Sequence, residues 1–293
     1  MGTAVRPFRF GVSFAGPQID PTIVDRARRL EDLGYAVFSC PDHLDFPDST
    51  AEPMVLLGAV AAATSTIELQ PLVLACDFRH PALLARQAAV LDQLSGGRFC
   101  LGMGAGWYAP EFHSAGIDFR PPGVRIDRLR EAVQVIRGLH TGDTFSFEGR
   151  HFQVRELAGR PVPLRNPMPL LVGGSGPRML ALACEIADTI ALTLGLHIGS
   201  PLPDCDTPYA QATDMKIHFI REALAAGAPC PELQTTVFTG GVTDADPLAP
   251  LAPLAQLLKV PASELEHCPH VLSGSVQHCI EMIEGWRERW GIS

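Results

Sequence analysis

The chain has 293 residues and a formal net charge of -9, with 46% hydrophobic and 19% charged residues, a balance that fits a folded globular protein and excludes general disorder. It has no basic run, which excludes the electrostatic footprint of a nucleic-acid binder. The longest near-continuous apolar stretch, Met54 to Ala63, is broken by Gly58 and is too short to cross a bilayer. Met1 to Arg6 lead straight toward a strand without a signal-peptide hydrophobic region, so a cytoplasmic location is expected. Eight scattered cysteines form no C-x-x-C pair and no cluster with His at ligand spacing, so reduced structural thiols and no metal are expected.

In chain order, Phe8, Phe10, Val12 and Phe14 alternate as in a strand, and Ile23, Ala27, Leu30 and Leu33 follow at helical spacing. Tyr35 to Cys40 reads as a second strand, with a helix from about Met54 to Ala63. Ile67 to Ala75 reads as a third, followed by a helix from Pro81 to Leu94 with proline in its favoured first turn. The fourth strand, Arg98 to Met103, leads through a loop to a helix from about Arg125 to Leu139, whose apolar residues form one stripe. Thr144 to Val154 has period-two alternation around a glycine turn and predicts a hairpin insertion. The rhythm resumes with a strand Pro169 to Val172, a helix Pro177 to Ile186, a strand Asp188 to Leu192, a helix Tyr209 to Ala226 and a strand Gln234 to Phe238. Leu248 to Leu258 and Val276 to Arg289 complete it as helices. Seven strand-helix units predict a parallel α/β barrel, a single domain over residues 1–293, in preference to a doubly wound sheet.

The distinctive motifs follow predicted strands. Pro41-Asp42-His43 follows the second, Cys76 to Pro81 the third, Gly104-Ala105-Gly106-Trp107 the fourth, and Gly173-Gly174-Ser175-Gly176-Pro177-Arg178 the fifth. In a barrel those ends share one mouth, where catalytic groups gather. The glycine-punctuated run from Leu94 to Trp107 reads as a core strand with a tight turn, or as a floor for a flat ring with Trp107 as its wall. His43 could move a proton near neutral pH with Asp42 influencing its charge, or be a hydrogen-bonded histidine beside a capping Asp. Gly173, Gly174, Ser175 and Gly176 before a helix offer backbone N–H groups and a dipole suited to phosphate, or simply a tight turn. Arg178 and Thr193 are further phosphate candidates, against solvated or capping roles. Arg79 and His80 could place a cation near a ligand but read more readily as braces for the following helix, and Glu111 reads as a surface acid at a helix start.

Leu91-Asp92-Gln93-Leu94-Ser95-Gly96-Gly97-Arg98 followed by Gly102-x-Gly104-x-Gly106-Trp107 resembles the bacterial luciferase-like family of (β/α)8 flavin- and deazaflavin-dependent enzymes, most closely its coenzyme F420-dependent oxidoreductases. The resemblance implies that Asp42 and His43 face the reactive edge of the cofactor. It implies that Ala105, Gly106 and Trp107 lie against the cofactor, and that Gly173, Gly174, Ser175, Gly176 and Thr193 surround its phosphate, with Arg178 kept as the further candidate named above. It also implies a non-prolyl cis peptide at Leu72-Val73 supporting one face of the ring. Members that oxidise sugar phosphates have Glu where this chain has Trp107, so that activity is not implied. Trp290-Gly291-Ile292-Ser293 resembles the lead into an eighth barrel strand, which is therefore expected to be absent from this chain, its gap covered by a loop or a partner chain or the protein being a truncated form; an open edge adds a reason for the homodimer that the resemblance implies.

The reading that follows is an F420-dependent oxidoreductase passing a hydride between reduced deazaflavin and a small organic substrate, with His43 assisting proton movement. The alternatives are an FMN-dependent monooxygenase supplied with reduced FMN, and a flavin- or F420-binding protein without catalysis. No nucleic-acid or membrane partner is expected. The loops Asp45 to Pro53, Ala109 to Gly123 and His197 to Pro208 are expected to form the substrate walls.

Overall fold

The computed structural model describes residues 6–16, 20–46, 51–194, 209–224 and 228–293. The expected substrate walls at 47–50 and 197–208, and Cys205, lie outside the described residues. Two compact units are present, one spanning Phe8–Gly173 and the other combining Met1–Pro7 with Gly174–Ser293.

In the Phe8–Gly173 unit, β1 (Gly11–Ser13), β2 (Val37–Cys40) and β3 (Glu68–Pro71) run parallel, with Gly11 opposite Val37 and Val37 opposite Glu68. The third predicted strand breaks at the Leu72-Val73 peptide, which is cis, and resumes as β4 (Leu74–Ala75). β4 pairs in parallel with β5 (Leu101–Gly104), and β5 with β8 (Leu170–Gly174). The strands alternate with α1 (Ile23–Asp32), α2 (Pro53–Ala63), α3 (Pro81–Leu94) and α5 (Pro122–Leu139), while α4 (Ala109–Ser114) occupies the loop after β5. Buried Phe38, Leu57, Leu69, Leu74, Met103 and Leu129 mark the core that joins these helices to the sheet.

The predicted hairpin forms from antiparallel β6 (Thr144–Glu148) and β7 (Gln153–Ala158), four residues longer than the alternation showed. In the second unit α6 (Pro177–Ile186) starts after β8, and β9 (Thr189–Leu192) and β10 (Glu232–Thr235) run parallel around α7 (Ala210–Ala223). A parallel pair missed by the sequence reading, β11 (Thr239–Val242) and β12 (Val271–Gly274), flanks α8 (Ala252–Leu258) and α9 (Ala262–Leu265). The predicted strand Gln234 to Phe238 is therefore displaced: it ends at Thr235, and residues 236–238 link β10 to β11. After α10 (Val276–Trp290), Ile292 bridges in parallel to Leu233, where the lead into an eighth strand was expected. Among the described residues no helix is long and apolar enough to cross a membrane.

Candidate active site at the strand ends

The glycines of the β5 motif are closed largely by protein. A Cβ on Gly102 would lie 1.9 Å from the Pro71 carbonyl oxygen, and one on Gly104 2.7 Å from a Val73 methyl. The β3–β4 bulge therefore presses its backbone and Val73 onto β5, and this close approach accounts for two glycines that the sequence also allowed as a ring floor. Ala105 and Gly106 continue to Trp107, with the Phe112 ring folded beneath Gly106.

His43, just beyond β2, is tied to Glu111 on α4: Nδ1 lies 3.1 Å from each carboxylate oxygen. Glu111 also accepts a bond from the Leu44 backbone N–H at 2.9 Å. An ionised carboxylate only accepts, so beside it Nδ1 carries a hydrogen and Nε2 is the ring nitrogen left to hold or release a proton. The expectation of Glu111 as a surface acid is thereby corrected. It is 2% exposed, because α4 turns it inward beside fully buried Phe112.

The Asp42 carboxylate is hydrogen-bonded away from the His43 ring. Both Asp42 oxygens bind Arg79, at 2.6 and 2.9 Å, and Oδ2 also accepts from Ala75 N–H at 3.0 Å. Arg79 reaches Glu52 as well, at 2.6 Å, while Glu52 caps α2 by accepting from Val55 N–H. Burial works against the Arg79 charge, but the bonds and charges of Asp42 and Glu52 outweigh it and raise its pKa above the usual value. Asp42 thus braces the end of β2, β4 and the segment before α3, next to His43 in the chain. Arg79 is a brace, and His80 another, its Nδ1 accepting from Ala82 N–H at the start of α3.

An aromatic wall surrounds His43. Phe46 stacks on it with centroids 4.7 Å apart, Trp107 meets it edge-on at 5.9 Å, and Tyr108 packs on Phe46 and Trp107, each at 5.2 Å. Trp107 is 37% exposed. The nearby thiols are no rivals as nucleophiles: burial, then the Asp42 and Glu52 charges, push Cys40 up to about 12, and burial followed by Asp77 pushes Cys76 to about 12. No metal-binding group of His, Cys, Asp and Glu occurs among the described residues.

In the second unit, Ser175 and Gly176 lie between the end of β8 and α6. Gly174 is packed against Met179, whereas nothing described lies within 4 Å of a Cβ position at Gly176. Gly176 caps the ten-residue α6 without a side-chain bond, and Arg178 is exposed in its first turn. These amides and this open approach fit a phosphate. Thr193, just past β9, has its carbonyl held by buried Lys216 at 2.6 Å. Gly173 ends the first unit, with its carbonyl oxygen 3.7 Å from the Gly104 Cβ position.

Residues 10–198 match the family described as luciferase-like monooxygenase. The F420-dependent glucose-6-phosphate dehydrogenase of Nakamurella multipartita is 34% identical over 197 residues, covering 64% of this chain and 57% of that protein. The chain spans about two thirds or less of the length of the curated relatives it matches. Among solved structures, the coenzyme F420-dependent tetrahydromethanopterin reductase of Methanopyrus kandleri superposes with a TM-score of 0.75 at 18% identity, covering 97% of this chain and 91% of that one. A monooxygenase of Streptomyces bottropensis gives 0.76 at 20% identity, with 97% and 90% covered. At that identity the likeness shows the fold, a (β/α)8 fold of the luciferase-like kind.

Proposed function

The chain belongs to the luciferase-like monooxygenase family, and from that membership we propose that it is an F420-dependent oxidoreductase acting on a small organic substrate. The observation that carries the reading is the Glu111–His43 pair, which orients an imidazole with Nε2 available against an aromatic wall. The name of the Nakamurella multipartita relative supports F420 over FMN. When bound, reduced deazaflavin supplies the hydride. In this reading His43 Nε2, protonated, gives its proton to the substrate oxygen or nitrogen as the hydride reaches the adjoining carbon, and Glu111 holds the resulting ring in one tautomer. Asp42, anchored by Arg79 and the Ala75 N–H, fixes the turn that carries His43. Leu72, Val73, Ala105, Gly106 and Trp107 would lie against the ring, and Gly173, Gly174, Ser175, Gly176, Arg178 and Thr193 would surround its phosphate. The proposal includes a single barrel domain with the β6–β7 hairpin as an insertion, working as a cytoplasmic homodimer.

The family description and the Streptomyces bottropensis likeness support a second reading, an FMN-dependent monooxygenase. Titration with F420 and FMN, followed by turnover with and without oxygen, separates them: the oxidoreductase binds F420 and turns over without oxygen. Within the first reading, His43→Ala lowers kcat by roughly 100-fold or more while cofactor affinity changes little. Equal loss of both would remove the proton-transfer role.

A further inference from the structure

The substrate class follows from what surrounds His43. Phe46, Trp107 and Tyr108 ring the imidazole; Trp107 is the exposed one of the three and the one tryptophan of three that reaches solvent, since Trp286 and Trp290 are buried. The cations beside these strand ends are already committed to carboxylates. Arg79 is bound by Asp42 and Glu52, and Arg128 and Arg120 both face buried Asp77, at 2.6 and 3.5 Å. The charges beside the imidazole include the buried carboxylates of Glu111, directly bonded to it, and Asp42, adjacent in sequence. A phosphate or carboxylate brought to His43 would meet these anions and an apolar wall, with the local guanidinium groups already paired.

We infer that the site takes a neutral, flat, unsaturated carbonyl compound, such as an enone conjugated to an aryl ring, stacked against Trp107 beside His43, and discriminates against phosphorylated sugars. The inference rests on the proposed oxidoreductase reading for its chemistry and on the aromatic wall for its specificity. The carbonyl oxygen approaches Nε2, and the apolar remainder covers the indole. In the reaction, the C=O π bond breaks, a C–H bond forms with the hydride of reduced F420, and an O–H bond forms with the proton from His43. The substrate is reduced and the cofactor oxidised.

The test is ligand-observed saturation-transfer NMR with 4-phenyl-3-buten-2-one and with glucose 6-phosphate. Both are measured on the protein alone and with F420 added, beside turnover followed by oxidation of reduced F420. The enone is expected to bind and to be reduced, and the sugar phosphate to do neither. Trp107→Ala should weaken enone binding about tenfold, the scale of one lost aromatic pair, and Trp107→Phe should restore most of it. Circular dichroism of both variants checks that the fold is kept. Saturation by glucose 6-phosphate at lower concentration than the enone, or enone binding unchanged in folded Trp107→Ala, overturns the inference. If the enone binds through Trp107 but F420 neither binds nor is oxidised, the cofactor reading falls while the specificity stands.

Discussion

The strand ends of the Phe8–Gly173 unit are closed by their own residues, whereas the turn that opens the Gly174–Ser293 unit leaves backbone amides uncapped. In the first, Asp42, Arg79 and Glu52 satisfy one another, Glu111 holds His43, and Pro71 and Val73 fill the space above Gly102 and Gly104. In the second, nothing described stands over Gly176, and α6 begins without a side-chain cap. The two glycine clusters look alike in sequence but have different physical origins: one permits strands to press together, the other keeps a helix N-terminus approachable.

The largest expected effect breaks the closed region. Arg79→Ala leaves Asp42 buried and its charge uncompensated, and should cost about 3–5 kcal/mol in urea unfolding, the usual consequence of removing one partner of a buried pair. Next is Gly102→Ala, whose new methyl would meet the Pro71 carbonyl at 1.9 Å. Because the obstruction is backbone and cannot rotate away, a loss of roughly 3 kcal/mol is expected. An unfolding midpoint unchanged in either variant would remove the claim that these contacts hold the strand ends together.

The second unit carries a pH dependence of similar size. Burial first, then the charge of Lys216, lowers the pKa of His270 to about 4, and the bond to the Thr236 carbonyl only partly opposes them. Folded His270 is therefore neutral where an unfolded histidine, with its ordinary value near 6.5, begins to take a proton. Its contribution is complete above pH 6.5 and is lost as pH falls from there through about 4, with a ceiling of about 3 kcal/mol. Urea unfolding at pH 7.5 and 4.5 measures the slope. His270→Asn should flatten it, and an equal slope in both proteins would assign the acid sensitivity elsewhere.

The alternation of strands and helices was legible because β2, β5, β8 and β9 are short, largely apolar runs and helices such as α1 and α6 carry a continuous apolar face. Pro81–Leu94 and Pro177–Ile186 end where the pattern ends. The motifs after the strands were legible too, together with the cis step at Leu72-Val73 through the family likeness. Partners distant in sequence were not. Glu111 meets His43 across 68 positions, and six-residue α4 is too short to show a period. Its one sequence signal was the acid next to a core-type residue, Phe112, in a segment otherwise read as loop. β11 escaped for another reason: Thr239-Gly240-Gly241-Val242 has no alternation, and only its pairing with β12 reveals the strand. The burial of Lys216 and His270 runs against residue type and follows from the packing of α7 and the segment before β12.

The smallest effect on stability is the sharpest test of the comparison. Gly176 has φ -78° and ψ 156°, an extended geometry any residue adopts, and a methyl there meets no described atom within 4 Å. Gly176→Ala should therefore leave the unfolding free energy within about 0.5 kcal/mol of the parent. If the open approach serves the cofactor phosphate, that same methyl stands over the α6 amides and weakens F420 binding, read by fluorescence titration, while unfolding scarcely changes. A variant that loses stability instead would make Gly176 a packing glycine like Gly102. One that loses neither stability nor affinity would place the phosphate away from α6, because an added methyl cannot leave an ion undisturbed on amides it covers.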